Sequence, residues 1–319
     1  MSGTPPQPNM RINTAKALLP LLFYSAAVPF LRYFLLQRYD LFPALICLLG
    51  IWLLGSRRYF LCGLALAVGI GAKLYPAVFV LPLLILATRQ GKGKAFVTGL
   101  TVGLLPIVVL SFYLPWWRFA EFQTARGLQV ESLYASALWL GKLLGVTQLH
   151  WVLVKEKWKE VQGPAASVVL PWARLLWFGT VGISIVMALR MAARFPVAKT
   201  EKETRAVGVS PSFAARLLLM PLLAFVGFNP VLSPQFMVWL LPLAALTSLG
   251  GNLAPALLIS VATLLTPISY PSLFGDYGRG LGLLETSILL VRNSILIWVW
   301  ALSLVDSRRD SQQRMRPSG

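Results

Sequence analysis

YFLCGLALAVGIGAKLYPAVFVLPLLILATRQGKGK, residues 59–94, holds one charged residue, Lys73, between the Arg57-Arg58 pair and the cluster Arg89, Lys92 and Lys94. Basic clusters mark the cytoplasmic side of a membrane, so both ends of this apolar stretch are expected on the same side. At 1.5 Å per residue, each half of about 13 residues reaches roughly 20 Å, short of a ~30 Å hydrocarbon core. A re-entrant helical hairpin with GAKLYP at its tip meets both conditions, as would two tilted short spans. Either way, a lysine at that depth is costly and calls for a partner.

The rest of the chain fits this membrane reading. Of 319 residues, 57% are hydrophobic and only 13% charged, against about 25% charged in a soluble domain; mean hydropathy is +0.70. Apolar runs recur from end to end, which predicts an all-α polytopic membrane protein with no separate soluble domain. The net charge of +18 sits in short clusters between apolar runs, a topogenic pattern rather than a nucleic-acid footprint. Cys47 and Cys62 lie inside apolar segments and give no disulfide framework. His150 is the only histidine, which argues against a histidine metal site or a Ser-His triad. No cleavable signal is evident in the polar, Pro-rich start.

Threading by charge gives a polar cytoplasmic tail (1–16), a membrane body (17–305) and a basic cytoplasmic tail (306–319). Spans are expected at 17–36, 41–54, 95–114, 166–189, 217–228, 236–249, 253–268 and 283–304, about eight besides the hairpin. Residues 115–165 form the largest external segment and 190–216 a basic cytoplasmic loop. Trp116, Trp117, Trp151 and Trp158 suit an interfacial belt, and ESLYASALWLGKLLG reads as an amphipathic helix at the outer leaflet. KEKWKE, with Glu156 and Glu160, reads as a solvated helix face.

By this threading Glu201, Glu203, Asp306 and Asp310 are cytoplasmic, whereas Asp40, Glu121, Glu131, Asp276 and Glu285 collect near the outer face with Arg126, Arg279 and Arg292. Lys73 has two roles open to it. It can pair with an outer carboxylate such as Asp40 and fasten helices, or it can meet the phosphate of a lipid-linked substrate, helped by a half-helix N-terminus at Tyr75-Pro76. Arg292 can snorkel or pair with Glu285, two helical turns earlier; the pairing is the favoured expectation. NPVLSPQ is a plain turn or a cavity-lining stretch, the latter because Asn229, Ser233 and Gln235 put polar groups at membrane depth.

Four segments in order, RYDLFPALICLLGIWLL, GLALAVGIGAKLYPAVFVLPLLI, RGLQVESLYASALWL and NPVLSPQFMVWLLPLAAL, resemble polyprenyl-phosphate-sugar-dependent glycosyltransferases of the GT-C superfamily. The resemblance is to glycosyltransferase family 87, typified by bacterial α-mannosyltransferases, and runs from about residue 17 to the last span. It implies a GT-C-like helical bundle that moves a sugar, mannose or a related one, from a polyprenyl-phosphate donor to a glycolipid or glycan acceptor. The transfer would be inverting, on the non-cytoplasmic face of the plasma membrane, with no cofactor and no metal. The chemistry itself asks for a carboxylate to take the acceptor proton and a cation for the leaving phosphate.

The resemblance places Asp40 at the acidic position opening the RYD span, and Lys73, Tyr75 and Pro76 on a K-x-Y-P element. Arg126, Gln129, Glu131 and Ser132 fall on R-G-L-Q-x-E-S, and Ser233, Pro234 and Gln235 on S-P-Q. The expected roles are Asp40 or Glu131 as base or sugar ligand, Lys73, Arg126 and Arg292 at the donor phosphate, and Tyr75, Gln129, Ser132, Ser233 and Gln235 as substrate ligands. Members of this family usually begin with further helices and an acidic first external loop, whereas here the polar tail leads almost directly to the span before RYD. That departure implies another carboxylate as base, a partner chain supplying the missing front, or an inactive paralogue. A lipid-sugar transporter or flippase shares the broken helices around a buried charge.

Overall fold

The computed structural model describes residues 14–115, 117–154, 158–197, 208–272 and 281–313. Trp116, Glu156, Glu201, Glu203, Asp276 and Arg279 lie outside these, as do the side chains of Trp158 and Asp310.

The chain enters through α1 (Thr14–Ala27), which a 3-10 turn at Val28–Leu31 joins to α2 (Arg32–Gln37). Next come α3 (Leu41–Gly55) and α4 (Tyr59–Ala72), then a 3-10 turn at Tyr75–Phe79 leading into α5 (Val80–Arg89) and α6 (Gly93–Ser111). Lys73 is extended (φ −158°, ψ 143°) and ends α4. Pro76 then stands at the start of the next helical turn, where its missing N–H is not needed.

α4 and α6 pack in parallel. Glycines let them touch: a Cβ on Gly63 would strike the Phe96 carbonyl, and one on Gly99 the Phe60 carbonyl. Higher up, Gly103 meets Ala67 and Gly71 meets Ile107. Because α4 and α6 run the same way, α5 between them must return. The two feet of the stretch also sit together: Gly208 lies against the Arg57 guanidinium, and Arg89 Nε donates to the Phe195 carbonyl at 2.8 Å. Both contacts flank the basic loop. Residues 59–89 are therefore a hairpin with its feet at the basic-loop end of the bundle. Its tip is Lys73, near the far end of α6.

The segment 115–165 contains α7 (Trp117–Thr124), β1 (Leu128–Gln129), α8 (Leu133–Leu143), β2 (His150–Val154) and β3 (Trp158–Gln162). The strands form an antiparallel sheet in the order β1-β3-β2. This corrects the all-α expectation. HWVLV is a run of strong strand formers, and Trp158–Gln162 pairs with it so that Val161 stands opposite Trp151 on one side and Leu128 on the other. Glu160 is accordingly buried, not solvated, and its Oε1 accepts from the Gly127 amide at 2.9 Å. The amphipathic helix is found as expected, as α8, with Ser132 capping its first turn through the Ala135 amide. The sheet, α8 and Leu281 and Leu289 build a second, smaller core around Trp139.

The main core is centred on α10 (Pro211–Gly227) and α11 (Met237–Thr247), which are buried on almost every face. A helix apolar all round belongs inside a bundle. Around them stand α3, α9 (Pro164–Ala193), α12 (Ala254–Pro267) and α13 (Leu283–Gln313). Among the described residues, four helical stretches are long and apolar enough to cross a membrane: 17–37, 93–111, 164–193 and 283–307. The shorter apolar helices, such as 41–55 and 211–227, fall below that length. Exposed large apolar side chains on α6 and α9, among them Val102, Leu105, Trp172 and Phe178, form lipid-compatible outer faces.

Candidate active site

Asp40 stands just before α3, where an aspartate ordinarily caps its own helix. Its side chain makes no cap bond. It turns inward instead and is 1% exposed. Oδ1 accepts from the Lys73 ammonium and from the Trp239 indole Nε1, the latter at 2.7 Å. Oδ2 is equally buried and has no hydrogen-bond partner among the described residues. One carboxylate thus joins the start of α3, the hairpin tip and α11.

Aromatic rings enclose the cation. The Lys73 Nζ lies 4.9 Å from the Tyr39 ring centre and 5.1 Å from that of Trp239, within cation–π range. Trp239 stacks with Tyr75 (4.2 Å, 12°) and with Phe236 (4.2 Å, 25°). Tyr75 is buried and its hydroxyl accepts from the Cys47 thiol at 3.7 Å. The Lys73 side chain keeps 20% of its surface exposed, whereas Asp40, Tyr75 and Trp239 are buried.

A second polar cluster surrounds Glu131 at the start of α8. Gln129 Nε2 donates to Glu131 Oε2 at 2.9 Å, and Arg126 Nη2 donates to Gln129 Oε1 at 3.4 Å. Arg292 and Asn293, on α13, donate to the Glu131 backbone carbonyl at 2.6 and 3.1 Å, and Asn293 also reaches the Ser136 hydroxyl at 3.2 Å. Arg292 does not pair with Glu285: its guanidinium donates to the Asn293 side-chain oxygen beside it on the same helix, at 3.0 and 3.1 Å, and to the Glu131 backbone carbonyl on another element. Burial pushes the Glu131 carboxyl above the usual carboxylate range, with the Arg292 charge opposing. Burial also lowers Arg126, against the pull of Glu160 and Glu131.

The loop after α10 lies between the clusters. The Gln129 amide donates to the Pro230 carbonyl at 3.0 Å, the Tyr134 hydroxyl to the Phe228 carbonyl at 3.0 Å, and the same loop leads into Trp239. Ser233 and Gln235 are half-buried there, and neither side chain is hydrogen-bonded among the described residues. Tyr270 adds a second link: it stacks on Phe34, and the charges of Glu131 and Arg38 both act on its hydroxyl.

The structure thus gathers Asp40, Lys73 and Tyr75 in one cluster and Arg126, Gln129, Glu131, Ser132 and Arg292 in another. Ser132 is committed to capping α8. Sequence reasoning missed Trp239, Tyr39 and Asn293. A tryptophan inside an apolar helix reads as core; its one signal is an indole N–H that must find an acceptor when buried.

Helices able to cross a membrane, with buried carboxylates and the part-exposed Lys73 at the same end, define a polar site within the bundle. Residues 5–221 match the model of glycosyltransferase family 87, and the chain belongs to that family. Neither the curated proteins nor the solved structures offer a match. The family is one of membrane glycosyltransferases, and the matched span contains both carboxylates and Lys73. Trp239 and the S-P-Q turn lie beyond it.

Proposed function

We propose that the chain is an inverting glycosyltransferase that takes a hexose, mannose by resemblance, from a polyprenyl-phosphate donor. The sugar passes to a hydroxyl of a glycolipid or glycan acceptor on the non-cytoplasmic face of the plasma membrane. In this reading the basic loop is cytoplasmic, about eight segments cross a bilayer, and the 59–89 hairpin re-enters from the cytoplasmic side to present Lys73 to the outer half.

The observation that carries the reading is the hairpin tip: a part-exposed lysine side chain beside a buried carboxylate that has one oxygen unpartnered among the described residues. A helix fastener would use both carboxylate oxygens, since an unmet buried acceptor is costly. The transfer balances on these groups. Asp40 Oδ2 takes the proton of the acceptor hydroxyl, whose oxygen bonds to the anomeric carbon from the face opposite the phosphate. The carbon–oxygen bond to the phosphate breaks, its electron pair leaves with the phosphate, and Lys73 stabilises that charge. Glu131, already bonded to Gln129 and enclosed, orients Gln129 and Arg126 toward the sugar rather than serving as base.

The test is sugar transfer by the intact protein in nanodiscs, with a labelled polyprenyl-phosphate mannose as donor. Lys73→Met is expected to lower the rate by at least about a hundredfold, as expected for a group that stabilises developing charge, while helicity by circular dichroism stays the same. Full activity in that variant would remove the phosphate role.

A further inference from the structure

We propose that Trp239 is a positioning residue of this site: its indole N–H holds Asp40 Oδ1 so that Oδ2 is the oxygen presented to the acceptor hydroxyl. The proposal rests on the transferase reading above and adds to it a residue outside the span matched by the family model.

An ionised carboxylate offers about four acceptor positions. Here both donors crowd onto Oδ1, and Oδ2 is left without one among the described residues. The two donors differ in kind. Lys73 sits on a flexible stem, partly exposed, and can swing toward a phosphate. Trp239 cannot swing, because its ring is stacked with Tyr75 and Phe236 at 4.2 Å each and is 4% exposed. When the ammonium turns to the leaving group, the indole alone keeps the carboxylate in register. Being neutral, it does so without a second positive charge that would quench the proton affinity of the carboxylate. Trp239 also follows directly on the Pro234–Phe236 turn, so the loop beside Gln129 and the base are set by one rigid corner.

The test compares wild type with Trp239→Phe, which keeps a smaller aromatic ring in the stack and removes the N–H. With polyprenyl-phosphate mannose as donor and a lipid-linked mannoside as acceptor, kcat is expected to fall about 10- to 100-fold, the loss of one hydrogen bond to a charged group. The donor KM should change less than about threefold, because Lys73 still meets the phosphate. Trp239→His, which retains a ring N–H, should recover part of kcat. A merely structural tryptophan would move neither the split nor the rescue. A second measurement needs no turnover: in protein labelled with 15N at its indoles, the Trp239 N–H resonance, assigned by its absence in Trp239→Phe, should shift in Asp40→Asn. Unchanged kcat in Trp239→Phe, or a resonance indifferent to Asp40→Asn, overturns the positioning role while the transferase reading stands. A wild type that transfers no sugar, with the resonance still coupled to Asp40, overturns the transferase reading and the positioning role with it.

Discussion

Asp40 and Glu131 are both buried carboxylates near the far end of the bundle, yet they are held in opposite ways. At Glu131 the backbone is the fixed object: Arg292 and Asn293 clasp its carbonyl, and Ser132 caps the helix that follows. At Asp40 the side chain is the fixed object, gripped on one oxygen by groups from two distant elements, while the other is buried and unpartnered among the described residues. A clasped backbone shapes a wall. A half-held side chain beside a part-exposed lysine is arranged for chemistry. Similar burial thus accompanies two different roles.

The sharpest way to break this comparison is to neutralise each carboxylate in turn. Asp40→Asn keeps the shape and the acceptor oxygen but cannot take a proton, so transfer is expected to fall by about 10²- to 10⁴-fold, the range for loss of a general base. Glu131→Gln should cost less than about tenfold, since Gln129 can still find an acceptor there. Steady-state rates with a labelled lipid donor decide. The reverse order would move the base to Glu131 and make Asp40 the scaffold.

A smaller effect, on stability rather than rate, is expected at Arg292. Its side chain is fully buried and bonds the Glu131 carbonyl. Arg292→Met leaves that carbonyl with Asn293 alone and should destabilise the protein by about 1.5–3 kcal/mol, as for a lost hydrogen bond to a charged group. The check is the apparent unfolding midpoint in detergent. Lys73→Met, at a side chain that is part-exposed rather than fully buried, should lower that midpoint less; an equal or larger drop would mean that the Asp40–Lys73 pair is mainly a fastener.

How much of this could be read from the chain alone follows from where each interaction reaches. The hairpin was legible because its evidence is local: basic residues on both sides of a stretch too short to cross twice as full spans. The Asp40–Lys73 pair was one of two options the charges allowed. KEKWKE misled, because charges along a helix and charges along a strand look alike over six residues, and only the pairing of Val161 with Trp151 separates them. Arg292 misled for another reason. Glu285 is near it in sequence, whereas the Glu131 carbonyl that it bonds is 161 positions away. Trp239 lies 199 positions from Asp40, and nothing in an apolar helix announces that its indole will serve a carboxylate.

The least conspicuous effect separates the clusters by pH. Burial raises the Glu131 carboxyl in the folded protein, whereas in the unfolded chain it titrates near the usual carboxylate value of about 4.3. The folded state then holds more protons in the interval between the two values, so stability falls as pH rises through that interval. Glu131→Gln has no proton to lose there. Its unfolding midpoint relative to wild type should therefore climb as pH increases from about 4.3 toward neutrality. Below that value the two proteins should differ by a constant amount. A wild type that instead gains on the glutamine variant with rising pH would mean that Arg292 and Gln129 outweigh burial, leaving Glu131 a charged group in the folded protein and a second candidate for contact with the sugar.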